Sequence, residues 1–169
     1  NCGEGAKKMY AVIGAGPRGL SMARNLQKLG LPFRAFEIHR DVGGLWAADS
    51  PTSTMYESAH LISSKRTTEF KEFPMGDEVA QYPHHSELKR YFQDYAKHFG
   101  LYEHYEFETE VVRCERRDGR WAVTTRCQGQ EQTRDFDGLM LCNGTLHEPN
   151  RPQLPGTFDG RVIHSSEYK

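Results

Sequence analysis

The chain lacks the features that mark membrane-spanning, secreted or nucleic-acid-binding proteins. None of its apolar runs approaches the roughly 18 consecutive apolar residues that a membrane-spanning helix needs. The opening stretch NCGEGAKK has no apolar core of the kind that a secretory signal carries. Lys and Arg together number 22 and Asp and Glu 23, so there is no basic excess to attract nucleic acid or an anionic membrane. We therefore expect neither a nucleic-acid partner nor a membrane segment.

Closely spaced metal-binding or redox cysteines are also missing. The chain has four cysteines, all far apart in sequence: Cys2, Cys114, Cys127 and Cys142. This pattern predicts reduced thiols in a cytoplasmic protein and no metal site. His84 and His85 form a possible metal pair, but adjacent side chains point apart in regular structure and no carboxylate or cysteine cluster accompanies them. A cap or surface role is the better prediction for this pair.

The first part of the chain predicts one βαβ unit. MYAVIG is a short apolar run that ends in glycine, which is typical of a buried parallel strand. From Pro17, apolar residues recur near helical spacing until Gly30, so we expect a helix that stops there. PFRAFEIH predicts the second strand. Residues 40–83 show no long periodicity and many turn-forming residues, which indicates an extended functional connection.

The second part predicts a long helix followed by strands. HSELKRYFQDYAKHFG favours a helix with Ser86 as its N-cap, Gly100 as its stop and an aromatic stripe in the core. YEFETEVVRCERR, RWAVTTRC and QEQTRDF read as three strands of a β-meander at about residues 105–136. GLMLCNG is another apolar run that closes on glycine.

These elements predict an α/β fold of the Rossmann type, with a parallel sheet, crossover helices and an inserted β-meander. We expect the domain to span residues 1–148. The proline-rich residues 149–169 are expected to be a linker.

A glycine motif follows the first predicted strand. Gly14, Gly16 and Gly19 match the spacing of a dinucleotide cradle, although a structural glycine turn would show the same letters. In a cradle the first glycine allows the turn, the second admits a diphosphate, and the third lets the helix pack closely. Glu37 lies 18 residues after Gly19, where an acidic side chain would bind a ribose. This context favours the cradle.

The next segment separates flavin from nicotinamide dinucleotides. Gly43 and Gly44 follow the second predicted strand and precede Leu45 and Trp46. An NAD domain has no evident need for a second glycine turn followed by a large aromatic residue. A flavin dinucleotide is longer and carries a planar ring, so it needs contacts beyond the diphosphate. We therefore expect FAD.

Taken in order, these segments resemble the N-terminal part of the flavin-containing monooxygenases. GAGPRG, GGLW, YPHHSELKRYFQDYAKHFGL and LCNG follow the order seen in that family. FDGRVIHSSEY fits the family pattern F-x-G-x-x-x-H-x-x-x-Y through Phe158, Gly160, His164 and Tyr168. The alternative interpretation of His164 is a surface histidine whose ring is hydrogen-bonded but has no functional role. The resemblance extends from Met9 to the end of the sequence.

The resemblance implies an oxidoreductase in which NADPH reduces FAD. The reduced flavin then reacts with O2 to a hydroperoxyflavin, which passes one oxygen atom to a small-molecule nucleophile through nitrogen or sulfur. It also implies the residues that would line the FAD diphosphate, namely Gly14, Gly16, Pro17 and Gly19. Further implied contacts are Glu37 for the adenosine ribose, Gly44, Leu45 and Trp46 along the ribityl chain and flavin, and Val111 for the adenine. Ordinary packing is the alternative role for Trp46 and Val111.

Two departures from the family bear on catalysis. The family's second GxGxxG loop, which holds NADPH, does not occur in these 169 residues, so we expect a fragment that is inactive alone. Counting back from Phe73 places Ile62 where the family has an asparagine beside the flavin, which leaves Ser63 and Ser64 as candidate catalytic hydroxyls. A peroxide-producing oxidase and a non-catalytic flavin-binding fragment therefore stay open as alternatives. The oligomeric state stays open too.

In the full-length enzyme, Ser63→Ala should raise the peroxide released per NADPH consumed, and Ile62→Asn should lower it. A serine hydroxyl or an asparagine amide can hydrogen-bond a reactive oxygen, whereas an isoleucine side chain only excludes water. A peroxide assay with stopped-flow spectra of the reduced enzyme measures both effects. If the wild type and both variants release the same amount of peroxide per NADPH consumed, this loop does not contact the reactive end of the flavin.

Overall fold

A parallel sheet and an antiparallel sheet organise the chain in its computed structural model, which describes residues 8–169. Cys2 lies outside the described residues. The strands are β1 (Tyr10–Ile13), β2 (Phe33–Phe36), β3 (Tyr105–Glu106), β4 (Glu110–Arg117), β5 (Arg120–Cys127), β6 (Gln130–Phe136) and β7 (Gly138–Leu141). The helices are α1 (Pro17–Lys28), α2 (Lys65–Thr68) and α3 (His85–His98), with 3-10 turns at Gly44–Trp46, Leu101–His104 and Ser165–Glu167.

The first sheet has the strand order β3-β2-β1-β7, and each neighbouring pair is parallel. Tyr10 of β1 lies opposite Phe33 on one side and Gly138 on the other. The α1 segment crosses over from β1 to β2, and the α3 segment connects β2 to β3. The predicted α/β Rossmann-like fold is therefore confirmed. Because all strands run the same way, the residues that follow β1, β2 and β7 meet at one edge of the sheet.

The core lies between this sheet and the two long helices. Helix α1 buries Leu20, Ala23 and Leu26. The predicted stripe of α3 is buried at Leu88, Tyr91, Phe92 and Tyr95, and Phe99 packs against the same cluster. Residues 40–83 contain only one short helix and one 3-10 turn, as the lack of periodicity predicts.

The N-cap of α3 differs from the prediction. His84, and not Ser86, is the capping residue: its Nδ1 accepts a hydrogen bond from the backbone N–H of Ser86 at 3.3 Å. The carboxylate of Glu87 accepts in return from the backbone N–H of His84 at 2.9 Å. The Nε2 of His84 lies 2.6 Å from the carbonyl oxygen of Glu57, which fixes the ring between the helix and a distant loop. The Ser86 prediction was wrong, whereas the cap role predicted for the histidine pair is seen at His84.

The predicted strand YEFETEVVRCERR is split in two. β3 belongs to the parallel sheet, with Tyr105 opposite Ala35, and only β4, β5 and β6 form the antiparallel meander. The break falls at Glu108, whose φ of 51° is incompatible with a continuous strand. Arg134 of β6 joins the two sheets, because its guanidinium donates to both carboxylate oxygens of Glu106 at 2.7 and 2.8 Å. The meander therefore begins at residue 110 and not near 105.

Residues 149–169 are almost entirely exposed and contain one 3-10 turn, which His164 caps through its ring nitrogen. Their role as a linker stays a prediction. Within residues 8–169, no helix is both long enough and apolar enough to cross a membrane. The cytoplasmic location also stays a prediction.

Candidate functional site

A cavity of about 760 Å³ opens at the carboxyl edge of the parallel sheet. It brings together eight of the nine residues that the sequence predicts as cofactor contacts: Gly14, Gly16, Pro17, Glu37, Gly44, Leu45, Trp46 and Val111. Gly19 lies behind the cavity instead. A β-carbon on Gly19 would stand 1.8 Å from the carbonyl oxygen of Gly14, so this glycine lets α1 pack against the loop after β1.

The two glycine turns meet in the floor of this cavity. A β-carbon on Gly44 would lie 2.9 Å from the Cα of Gly16, and Gly44 has a φ of 55°. The backbone N–H of Gly43 donates to the carbonyl of Ala15 at 3.0 Å and holds the turns together. The contact therefore requires glycine at position 44, whereas a β-carbon on Gly16 would lie an ordinary 3.6 Å from the Cα of Gly44.

The floor also contains the N-terminus of α1. Gly16 is its N-cap and has no side chain to bond the first-turn amides, and Pro17 follows it in the first turn. The free N–H groups and the positive end of the helix dipole form an anion-binding position. Arg18, which also lines the cavity, adds a positive charge beside it.

Glu37 is a buried carboxylate at the side of this floor, with 6% of its surface exposed. Its Oε2 accepts from the backbone N–H of Ala15 at 2.6 Å, and its Oε1 accepts from the backbone N–H of His39 at 3.0 Å. Each oxygen keeps a further lone pair for a ligand hydroxyl. Glu37 therefore shapes the glycine loop and can also bind a ligand.

Trp46 and Val111 each face the cavity and pack against the interior. Trp46 is half-buried against the main core. Val111 packs against a smaller cluster that includes Phe36 and Phe136. Both residues therefore have the packing role that the sequence left open, and both are also placed to contact a ligand.

Comparison with known proteins identifies the family. A sequence profile described as FMO-like, flavin-binding monooxygenase-like, matches residues 6–169. The chain belongs to this family. The resemblance to the flavin-containing monooxygenases is therefore confirmed.

Two curated members of the flavin-binding monooxygenase-like family illustrate the relationship. Flavin-containing monooxygenase 5 of Mus musculus is 35% identical over 177 residues, which cover 97% of this chain and 33% of that protein. Flavin-containing monooxygenase 3 of Canis lupus familiaris is 34% identical over 175 residues, which cover 96% of this chain and 33% of that protein. The chain thus spans about a third of the length of the curated relatives it matches.

Solved structures share the fold. S-allyl-L-cysteine S-oxygenase from Allium sativum superposes with a TM-score of 0.86 at 27% identity, over 95% of this chain and 42% of that chain. An oxidized steroid monooxygenase bound to NADP gives a TM-score of 0.72 at 27% identity, over 90% of this chain and 28% of that chain.

Sequence reasoning missed the loop after β7. Residues 142–148 line one wall of the cavity of this flavin-binding monooxygenase-like chain. The signal was present, because LCNG ends an apolar strand in glycine as VIGAG does. The backbone carbonyl of Cys142 would lie 2.5 Å from a β-carbon on Gly14, so this loop needs the first glycine. Burial raises the pKa of the Cys142 thiol.

The predicted catalytic hydroxyls lie elsewhere. Ser63 and Ser64 are not among the residues that line the cavity. The Oγ of Ser63 is 2.9 Å from the Oγ1 of Thr68, and Ser64 precedes the short helix α2 as its N-cap. Ile62 is 99% exposed. Across residues 8–169, no group of three or more His, Cys, Asp or Glu side chains could hold a metal ion.

Gly44→Ala should abolish flavin binding or weaken it by more than about tenfold, whereas Gly30→Ala should leave it unchanged. Gly30 is a matched control, because its φ is 65° and a β-carbon there would meet nothing within 4 Å. Both variants carry the strain of a left-handed alanine, on the order of 1 kcal/mol. Only Gly44→Ala pushes the two turns apart.

Titration with FAD, followed by flavin fluorescence, measures the affinity of each variant. Far-UV circular dichroism checks that both are folded. Equal affinities for the two variants would contradict the role assigned to the contact between Gly16 and Gly44.

Proposed function

We propose that this chain is the FAD-binding portion of an NADPH-dependent flavin monooxygenase that oxygenates soft nitrogen or sulfur nucleophiles. The main observation in support is that two glycine turns meet at the N-terminus of α1, beside the buried carboxylate of Glu37. This arrangement combines a position for a diphosphate with an acceptor for a ribose.

The residues of the cavity fit FAD. The diphosphate would lie against the first turn of α1, where a side chain at Gly44 would intrude on the Gly16 backbone. Glu37 would accept hydrogen bonds from the ribose hydroxyls. The backbone of Val111 would lie at the adenine end. Leu45 and Trp46 would lie at the other end, along the ribityl chain and the flavin ring.

FAD is favoured over NAD by the second glycine turn. The cavity continues from the anion position at α1 to the 3-10 turn Gly44–Trp46, so it offers contacts past a diphosphate. The half-buried indole of Trp46 gives this end an aromatic wall. Arg18 supplies a positive charge that either dinucleotide could use.

When bound, the flavin supplies the redox chemistry, in which NADPH provides two electrons and one atom of O2 is transferred to the substrate. This chain binds and orients the cofactor and excludes water from one side of it. The NADP in the steroid monooxygenase structure supports NADPH as the electron donor. The Allium protein is named an S-oxygenase, which supports a sulfur nucleophile as one substrate class.

A peroxide-producing oxidase is the second candidate function, and what favours it is the sequence position of Ile62, where the family has an asparagine. Its side chain is hydrocarbon and almost fully exposed. It therefore offers no amide to a reactive oxygen. A non-catalytic flavin-binding role would fit the cavity equally well. The catalytic roles of Ser63 and Ser64 and the cytoplasmic location stay predictions.

The wild-type chain should bind FAD and show no comparable affinity for NAD. Glu37→Ala should weaken FAD by roughly 1.5–3 kcal/mol, or about 10- to 150-fold, because a charged hydrogen bond to the ribose is lost. Isothermal titration calorimetry with FAD and with NAD measures both.

Glu69→Ala is the matched control. Its carboxylate also accepts a backbone N–H, from Met75 at 2.7 Å, but it does not line the cavity. We expect Glu69→Ala to lower the free energy of unfolding without changing FAD affinity. Tight binding of NAD together with no uptake of FAD would overturn the proposed function.

A further inference from the structure

One peptide unit of the glycine loop is held from both sides. The N–H of the Gly14–Ala15 peptide donates to Oε2 of Glu37 at 2.6 Å. The carbonyl oxygen of the same peptide accepts from the hydroxyl of Tyr105 at 3.3 Å. Gly14 has a φ of 103°, where a residue without a β-carbon meets little resistance to rotation. The side chains of Glu37 and Tyr105, from two other parts of the chain, therefore fix the orientation of a peptide that the glycine loop alone would leave free to rotate.

Tyr105 is placed for this contact by the parallel sheet. It is the first residue of β3, lies opposite Ala35 and is 7% exposed. Its hydroxyl would be 3.2 Å from a β-carbon on Gly19, so it fills the space behind the loop. Among residues 8–169, the Gly14 carbonyl is the hydrogen-bond partner of this hydroxyl. Tyr105 does not itself line the cavity.

The hydroxyl can act only as a proton donor toward this carbonyl. Burial raises the pKa of Tyr105 well above its usual range, and the nearby Cys142 and Glu37 raise it further. The phenol therefore keeps its proton at neutral pH. A buried hydroxyl with one carbonyl partner fixes the orientation of that carbonyl.

We propose that Tyr105 is a positioning residue of the cofactor site. Its hydroxyl and the carboxylate of Glu37 lock the plane of the Gly14–Ala15 peptide, so that the amides at the start of α1 face the diphosphate. This inference rests on the proposed binding of FAD. It assigns a role in binding to a residue that the sequence placed in the meander.

The test compares Tyr105→Phe with Tyr91→Phe. Tyr91 is likewise 7% exposed and its hydroxyl is bonded to backbone, since it donates to the carbonyl of Phe73 at 2.6 Å and accepts from the N–H of Phe70 at 2.7 Å. It lies away from the cavity. Tyr91→Phe thus removes a comparable hydroxyl without touching the loop.

Tyr105→Phe should raise the dissociation constant for FAD by about three- to tenfold, the effect of one hydrogen bond. Hydrogen–deuterium exchange of the ligand-free chain should become faster in peptides that cover residues 14–19. Tyr91→Phe should lower the unfolding midpoint but leave FAD affinity and the exchange of residues 14–19 as in the wild type.

Exchange of residues 14–19 that is no faster in Tyr105→Phe than in Tyr91→Phe overturns the inference, and so does an unchanged affinity for FAD. If the wild-type chain binds no FAD, the proposed function fails. The exchange comparison then still decides whether Tyr105 holds the loop.

Discussion

The close approach of Gly16 to Gly44 is the constraint on which the site depends. These residues lie on different loops, and the turns touch because Gly44 has no β-carbon, which would lie 2.9 Å from the Cα of Gly16. The second turn is held in place by Asp41, whose carboxylate accepts from the Tyr102 hydroxyl and from the Gln93 amide, both at 2.7 Å. The core helix α3, which carries Gln93, therefore fixes the position of a loop that lines the cavity.

Local patterns were sufficient to predict the βαβ unit and the glycine loop. The apolar run of β1, the helical spacing after Pro17 and the stop near Gly30 all lie within a short stretch of sequence. The glycine spacing predicts positions where the backbone leaves no room for a side chain. The structure shows one such position at Gly14, where a β-carbon would clash with the backbone of Cys142. Such features depend on few contacts from distant parts of the chain.

Features that depend on distant partners were harder to predict. Histidine is an uncommon N-cap, and the ring of His84 is fixed in part by the Glu57 carbonyl, which is remote in sequence. β3 has only two residues, so its membership in the parallel sheet is decided by pairing with Ala35 and not by its own pattern. Counting from Phe73 placed Ile62 beside the flavin, yet its side chain is exposed and lies outside the cavity lining.

The most direct measurement is a crystal structure of this chain grown with FAD. We predict the diphosphate against the first turn of α1, beside the contact between Gly16 and Gly44, with a ribose hydroxyl within hydrogen-bond distance of the Glu37 carboxylate and the flavin ring toward Trp46. FAD density at any other place on the chain, or a diphosphate that does not contact the first turn of α1, would contradict the assignment of this cavity as the flavin site.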